Sequence, residues 1–326
     1  MKKGIKKIEF LLPESYHLLE EAASRTDGIS GIPSGFKYLD KMTSGWQNGE
    51  LIAIGARPSM GKTAFVLSML KNMAIDFKIP VMLFSLEMNE VQVTNRMIVN
   101  VCEIPGEKIK NGQLAPYEWG QLDYKMKELK DAPLYIDATP YLKIENLCKK
   151  AEEAVKGLGV KIIVIDYIQL LYNEIKYTDN RYLELNYFTR RLKSLAKELD
   201  IPIIITSQLN RDLEAREGID GKRPQLTDLR DSGTICDDCD MVLFLHRPDY
   251  YKIYQDDKGN DLRGMAEVII AKHRNGAVGD VLLKFKGEFA RFQNPDDDML
   301  IPSRITDTLE DKKTFGGNRS DKPLPF

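Results

Sequence analysis

The chain has 326 residues, of which 43% are hydrophobic and 29% are charged, and its net charge at pH 7 is −2. Such a length and apolar content allow a substantial core, divided into one large or two small soluble domains. The near balance of charge excludes a protein coated in positive potential, as nonspecific nucleic-acid binders usually are, so any nucleic-acid contact must be local.

Composition also bears on compartment and metal content. No apolar run approaches the roughly 20 residues that span a bilayer, and the N-terminus has no secretory signal pattern, so we expect a cytoplasmic protein with no membrane partner. Cys236 and Cys239 have C-x-x-C spacing, but a structural zinc site needs a second ligand pair, and only three histidines exist to supply it. A metal or redox role for these cysteines is therefore not favoured.

Residues 1–30 combine a basic start with one amphipathic helix, predicted over residues 14–25. Leu18, Leu19 and Ala22 lie on one side of that helix. A lone helix has no core of its own. It either packs on its parent domain or docks on a neighbouring subunit, and the sequence leaves both alternatives open.

From residue 31 onward, apolar runs rich in Val, Ile and Leu alternate with helical stretches. Several runs are continuous rather than alternating, which indicates a parallel sheet covered on both faces and an α/β fold. Two further runs, 266–272 and 281–285, predict an antiparallel hairpin at the C-terminal side. The predicted strands are 51–55, 81–85, 134–137, 161–166, 203–207 and 241–245, and the predicted helices are 62–74, 91–101, 117–129, 144–156 and 182–199.

Polar segments at 173–180, 212–225 and 254–263 interrupt this alternation, and long loops inside a compact domain are usually functional or mobile. The tail, residues 295–326, is charged and has no periodicity, so we expect it to be disordered. The predicted domain therefore spans residues 31–294.

The most informative motif follows the first predicted strand and reads Gly-Ala-Arg-Pro-Ser-Met-Gly-Lys-Thr at residues 55–63. A turn between a strand and a helix aims several N–H groups at one point, where the helix dipole favours phosphate. Lys62 would reach the β- and γ-phosphates, and Thr63 would complete a Mg²⁺ shell. Ala56 replaces the first glycine of the usual pattern, which is tolerable if its φ stays negative. The alternative is a Gly-Lys-Thr that only caps a helix. The predicted nucleotide-binding residues are Ala56, Arg57, Pro58, Ser59, Met60, Gly61, Lys62, Thr63 and Ala64.

Three strands end in polar side chains at the edge where the phosphate loop would lie. Asp166 is suited to hold the hydration shell of Mg²⁺. Glu87 is a candidate base that orients and deprotonates water, unless it is only an acidic residue favoured by a helix N-terminus. Gln208 could sense the γ-phosphate and signal to the loop that follows, or be an ordinary surface glutamine.

Two basic groups remain. Lys272 and Arg274 stand at a strand end before a turn; they are either solvated or reach a neighbour's nucleotide, where arginine stabilises the transferring phosphoryl group. Loop cations could line the hole of a ring and attract a phosphate backbone, or simply be solvated. These loop cations are Arg211, Arg216, Lys222, Arg223 and Arg230.

Taken together, these stretches resemble the C-terminal motor domain of DnaB-type replicative helicases, which belong to the RecA-like ATPases. The matching stretches, in the order of the family, are 31–36 (GIPSGF), 56–63 (ARPSMGKT), 85–88 (SLEM), 166–170 (DYIQL), 192–199 (LKSLAKEL), 207–211 (SQLNR), 228–230 (DLR) and 272–276 (KHRNG). The resemblance runs from about residue 14 to 292.

The resemblance implies a homo-hexameric ring around single-stranded DNA, with ATP and Mg²⁺ between subunits and a primase or helicase loader as possible partners. By position, Lys62 and Thr63 bind phosphate and Mg²⁺, Glu87 is the base, Asp166 the Mg²⁺-side acid and Gln208 the γ-phosphate sensor. Lys272 and Arg274 act in trans. The loop containing Arg230, Asp231 and Gly233 grips the DNA backbone.

The sequence departs from the family at two points. Asp231 stands where members commonly have Glu, and only about thirty residues precede the motor, so we expect the family's N-terminal collar domain to be lacking. The helix at 14–25 falls where the linker helix belongs. The readings that remain are a translocating helicase, a RecA-like DNA-binding filament or switch without unwinding activity, and a nonmotor ATPase platform.

Overall fold

The computed structural model describes residues 5–24, 28–173, 181–218, 220–229 and 233–298. Within these ranges a single sheet has the strand order β3-β2-β4-β5-β1-β6-β7-β8-β9. The strands are β1 (Leu51–Ala56), β2 (Val81–Ser85), β3 (Leu134–Asp137), β4 (Ile162–Asp166), β5 (Ile203–Gln208), β6 (Met241–His246), β7 (Met265–His273), β8 (Gly279–Lys286) and β9 (Arg291–Gln293).

The first six strands pair in parallel, and β7, β8 and β9 continue the sheet as antiparallel strands. This confirms the predicted mostly parallel sheet with a C-terminal hairpin. Every residue of β1, β4 and β6 is buried, because helices cover both faces of the sheet at its centre. The carboxyl ends of the parallel strands therefore meet at one edge, where β1, β4 and β5 deliver their last residues.

Two apolar cores lie on opposite faces of the sheet. Ile52 and Ile54 of β1 belong to one core, whereas Leu51 and Ala53 belong to the other, as the period of two along a strand requires. The helices that cover the sheet are α2 (Lys37–Thr43), α3 (Lys62–Lys71), α4 (Glu90–Cys102), α5 (Gly106–Asn111), α6 (Pro116–Lys130), α7 (Ile144–Leu158), α8 (Arg181–Leu199) and α9 (Gly233–Asp238).

Several details differ from the predictions. The helix predicted over 62–74 is α-helical only to Lys71 and continues as a π-helical turn over Asn72–Asp76. The tail predicted to be disordered begins with a 3₁₀ turn at Pro295–Asp298, and the rest of it lies outside the described residues. Helices α2, α5 and α9 and strand β9 were not predicted, because each is too short to produce a recognisable period.

The N-terminal segment forms a 3₁₀ turn at Ile8–Phe10 and helix α1 at Leu12–Ser24, close to the predicted 14–25. Ile8, Phe10, Tyr16 and Leu19 are exposed, so this segment presents apolar side chains away from its own chain. In the described part of the chain, no helix is long and apolar enough to cross a membrane.

Candidate nucleotide-binding site

The phosphate loop occupies residues 57–61, between the end of β1 and the start of α3. Ala56 is the last residue of β1 and has no positive φ, so alanine meets no strain where the usual pattern has glycine. Gly61 has φ +91°, and a Cβ there would lie 3.1 Å from the ring of Phe292. The loop therefore tolerates the first substitution and requires the second glycine.

Lys62 and Thr63, the first two residues of α3, converge on the carboxylate at the end of β4. The Thr63 hydroxyl donates to Asp166 Oδ2 at 2.9 Å, and Lys62 Nζ lies 3.6 Å from Asp166 Oδ1. Thr206 of β5 donates to the same Oδ1 at 2.5 Å, and Lys62 Nζ sits 4.4 Å from the centre of the Tyr167 ring. Asp166 is thus held by three polar neighbours beside the N-terminus of α3.

A cleft of about 460 Å³ opens over the phosphate loop. Eight of the nine predicted nucleotide-binding residues line it, together with Glu87 and Gln208. The exception is Met60, which is buried in the apolar core, because its side chain packs beneath the loop. Met60 can therefore offer a ligand only its main chain.

Glu87 lies in the bend between β2 and α4 and is exposed to the cleft. Helix α4 begins at Glu90, and its N-terminus is capped by a box in which Asn89 and Gln92 exchange hydrogen bonds. Glu87 precedes this cap, so it is not an acidic residue of the first helical turn. Its carboxylate is left available to the cleft.

Gln208 ends β5 directly beside Ala56 of β1. It lines the nucleotide cleft and also a neighbouring cavity of about 520 Å³ bounded by residues 208–212. Gln208 and Arg57 line both the nucleotide cleft and this second cavity. The sensor position predicted from the sequence therefore lies between the cleft and the loop that follows β5.

Lys272 and Arg274 are not brought to the cleft. Lys272 lies in β7 opposite Val242, and Arg274 follows the end of β7, near the amino ends of β1 and β6. Lys272 donates to the carbonyl of Cys236, and Arg274 donates to the carbonyl of Asp237 and, at 3.1 Å, to Asp240 Oδ1. Both cations cap the last turn of α9 at the sheet edge opposite the phosphate loop, rather than being free in solvent.

The predicted DNA-binding residues Arg230 and Asp231 lie outside the described residues, and Gly233 begins α9. Three other loop cations are engaged within the chain. Arg216 pairs with Asp228 at 2.5 Å, Lys222 donates to the carbonyl of Glu214 at 2.8 Å, and Arg223 pairs with Asp280 at 2.6 Å. The basic loop therefore offers less free positive charge than its composition indicates.

Sequence reasoning missed one wall of the cleft. Arg96, Tyr167, Phe285 and Ala290 also line it, and the Arg247 guanidinium stacks 4.1 Å from the Phe285 ring. Arg96 comes from α4 and Tyr167 directly follows β4, whereas Phe285 and Ala290 are brought here by the C-terminal strands β8 and β9. Arg96, Tyr167 and Phe285, with Arg247 behind the Phe285 ring, give this wall its aromatic and cationic character.

Comparisons with known proteins agree with this geometry. The family described as DnaB-like helicase C terminal domain matches residues 31–294. The chain is 40% identical over 291 residues to the replicative DNA helicase DnaB of Geobacillus stearothermophilus, covering 89% of this chain and 62% of that protein. It is also 40% identical over 298 residues to the replicative DNA helicase DnaC of Bacillus subtilis (strain 168), covering 90% of this chain and 64% of that protein. The chain thus spans just under two thirds of the length of these curated relatives.

Two solved structures share the fold. One, described as an ATPase domain, superposes with a TM-score of 0.81 at 39% identity, covering 89% of this chain and 99% of that one. A DnaB-like replicative helicase, described with its interactions with primase, superposes with a TM-score of 0.77 at 39% identity, covering 89% of this chain and 67% of that one.

Proposed function

The chain belongs to the family of DnaB-like helicase C-terminal domains, and from that premise we propose that it is the ATP-driven motor of a replicative DNA helicase. One observation carries the proposal. Lys62, Thr63 and Asp166 converge beneath a cleft lined by the phosphate loop, which is the arrangement that binds a nucleoside triphosphate.

The donor set beneath the cleft suits Mg²⁺ as well as ATP. The Thr63 hydroxyl and the Asp166 carboxylate are neighbouring hard oxygen donors, the type that Mg²⁺ prefers. These two residues would hold the ion, which when bound neutralises phosphate charge. The loop N–H groups and Lys62 bind the phosphates, and Phe285 gives the base an apolar surface.

In this proposal Glu87 deprotonates the attacking water, because it is a carboxylate exposed to the cleft and outside the α4 cap. Gln208 senses the γ-phosphate, since it borders both the nucleotide cleft and the loop beyond β5. A change at the phosphate can then alter the loop that leads to Arg230 and Asp231.

The positions of Lys272 and Arg274 favour a ring, in which a neighbouring copy completes each nucleotide site, over a site formed by one chain alone. They stand at the opposite edge of the sheet from the phosphate loop of their own chain. Head-to-tail contacts between identical copies, repeated around an axis, would bring this edge of one subunit to the cleft of the next. We therefore propose a homo-hexamer in which both cations complete the neighbour's site. The exposed apolar side chains of the N-terminal segment are available to bridge adjacent copies.

Single-stranded DNA is the proposed track, gripped through phosphates by the segment of Arg230, Asp231 and Gly233. A primase or a loader is a proposed partner, because a similar solved structure is described with primase. Its bacterial relatives and its DNA substrate together support a cytoplasmic location.

Unwinding of a forked duplex by the full chain tests the proposal, with Lys62→Ala as the inactive control. We expect ATP-dependent strand separation, DNA-stimulated hydrolysis, and a hexamer by light scattering with nucleotide and single-stranded DNA. Robust DNA-stimulated hydrolysis without strand separation would instead indicate a DNA-binding filament or switch. Hydrolysis that DNA does not stimulate would indicate a nonmotor ATPase.

A further inference from the structure

The Arg57 side chain makes contacts that its position in the phosphate loop does not predict. Its guanidinium is buried and donates to the carbonyl of Leu209 at 2.9 Å and to Glu214 Oε1 at 3.0 and 2.5 Å. These contacts leave only the main chain of Arg57 facing a phosphate. The guanidinium instead ties the phosphate loop to the segment after β5, 157 residues away along the chain.

The segment that Arg57 holds is itself tied to the 3₁₀ turn at Leu226–Asp228, which precedes the predicted DNA-binding residues in the sequence. Glu214 lies in a 3₁₀ turn at Arg211–Ala215, and Arg216 directly after it pairs with the buried Asp228 at 2.5 Å. Asp228 also accepts from the N–H of Gln225 at 2.7 Å. Asp228 is two residues from Arg230. Two ion pairs therefore connect the phosphate loop to Asp228, which precedes the predicted DNA-binding residues in the sequence.

This connection adds to the direct main-chain route. Strand β5 is paired with β1 as far as Ala56 and Gln208, and the N–H of Leu209 donates to the carbonyl of Ala56 at 3.2 Å. The guanidinium adds one hydrogen bond to the carbonyl of Leu209 and two to the carboxylate of Glu214. Hydrogen bonds between charged groups are stronger than those between neutral groups. We therefore expect movement of the phosphate loop to be transmitted to the Arg211–Ala215 turn.

The network around this turn is incompletely satisfied. Arg216 Nε and the Tyr251 hydroxyl are buried and have no hydrogen-bond partner among the described residues. Buried polar atoms without partners are costly, so a movement of the turn that gave these two atoms partners would be favourable.

We propose that Arg57 and Glu214 form a strut that couples the nucleotide state of the phosphate loop to the affinity of the DNA-gripping segment. The strut rests on the proposed function. Arg57 and Glu214 act as positioning residues, since neither side chain touches the reacting atoms. Gln208, the proposed γ-phosphate sensor, would link the nucleotide cleft to the same loop by a second route. The strut adds to that route and does not replace it.

The test measures how strongly nucleotide controls DNA binding. Dissociation constants for a fluorescent oligothymidylate are measured for the full chain with a non-hydrolysable ATP analogue and with ADP, and their ratio is compared among variants. Glu214→Ala removes the strut, and Glu214→Gln keeps an acceptor for Arg57. Glu217→Ala is the matched control, because Glu217 is an exposed glutamate of the same loop.

In Glu214→Ala we expect the ratio to fall about fivefold or more toward one, with unstimulated hydrolysis within about twofold of the unmodified chain. Glu214→Gln should be intermediate and Glu217→Ala unchanged. Equal ratios in Glu214→Ala and Glu217→Ala would overturn the strut, as would a loss of affinity that is the same with both nucleotides. If Glu214→Ala does not fold, Glu214→Gln decides by the same ratio. Absence of DNA binding by the unmodified chain would instead refute the proposed function and, with it, the strut.

Discussion

Replacing Glu87 by glutamine should separate nucleotide binding from hydrolysis. The substitution keeps the shape of the side chain and removes its ability to take a proton. Glu87 has no hydrogen-bond or ion-pair partner in the described part of the chain, and it faces the cleft. We therefore expect ATP to bind Glu87→Gln within about twofold of its normal affinity, while the hydrolysis step slows.

The size of the effect follows from the assigned role. General base catalysis contributes about 10²- to 10⁴-fold, so the barrier should rise by about 3 to 5 kcal/mol. An acidic residue that only favours a helix N-terminus contributes about 0.3 to 1 kcal/mol to stability instead. Because α4 is capped by Asn89 and Gln92, we expect Glu87→Gln to lose almost none of the free energy of unfolding.

Single-turnover phosphate release gives the rate, titration with a fluorescent ATP analogue gives the affinity, and urea unfolding gives the stability. Glu90→Gln, three residues further on at the exposed start of α4, is the matched control and should hydrolyse ATP normally. The assignment of Glu87 as the base would be refuted by normal hydrolysis in Glu87→Gln. It would be refuted equally by loss of ATP affinity or by a drop in stability that accounts for the slower rate.

Three further outcomes are expected. Doping rings with Arg274→Ala subunits should lower hydrolysis more than in proportion to their fraction, whereas a linear decline would mean that Arg274 serves only its own chain. Asn89→Ala should lower the free energy of unfolding by about 1 kcal/mol in urea titrations, and an unchanged midpoint would mean that the cap carries no stability. Burial lowers the pKa of His246 to about 4, and the free imidazole titrates near 6.5, so between these values the unfolded chain binds more protons and the free energy of unfolding falls as pH drops. His246→Asn should remove up to about 1.4 kcal/mol per pH unit from this slope between pH 6.5 and 4, and an identical slope in the variant would contradict the assignment.

The sheet could be predicted closely because its signals are local. β1 was predicted at 51–55 and lies at Leu51–Ala56, and the strand predicted at 161–166 lies at Ile162–Asp166. Strands buried on both faces read as uninterrupted apolar runs, so their limits are visible in the sequence. The phosphate loop is equally local, since its strand, turn and helix are contiguous.

Side-chain direction could not be predicted in the same way. The motif marks Arg57 as a loop residue, but its partner Glu214 arrives from a turn that no periodicity defines. Phe285 reaches the cleft only because β8 adds to the sheet beside β7. The sequence left Lys272 and Arg274 either solvated or reaching a neighbour's nucleotide, and it did not predict α9, whose carbonyls bind both cations within the chain.

Strand β1 connects the two sites that each copy of the proposed ring would serve. Its last residue leads into the phosphate loop, and its first residue, Leu51, donates its N–H to Asp240 at 2.8 Å. Asp240 is buried and also accepts from Arg274, so the cation that we propose acts on a neighbour is bound at the start of the strand that ends in the chain's own loop. The five residue steps of β1 separate these points by about 17 Å, which no side chain bridges. Because β1 is buried throughout, displacement of one end should displace the other, which would couple the two nucleotide sites that the proposed ring places at its ends.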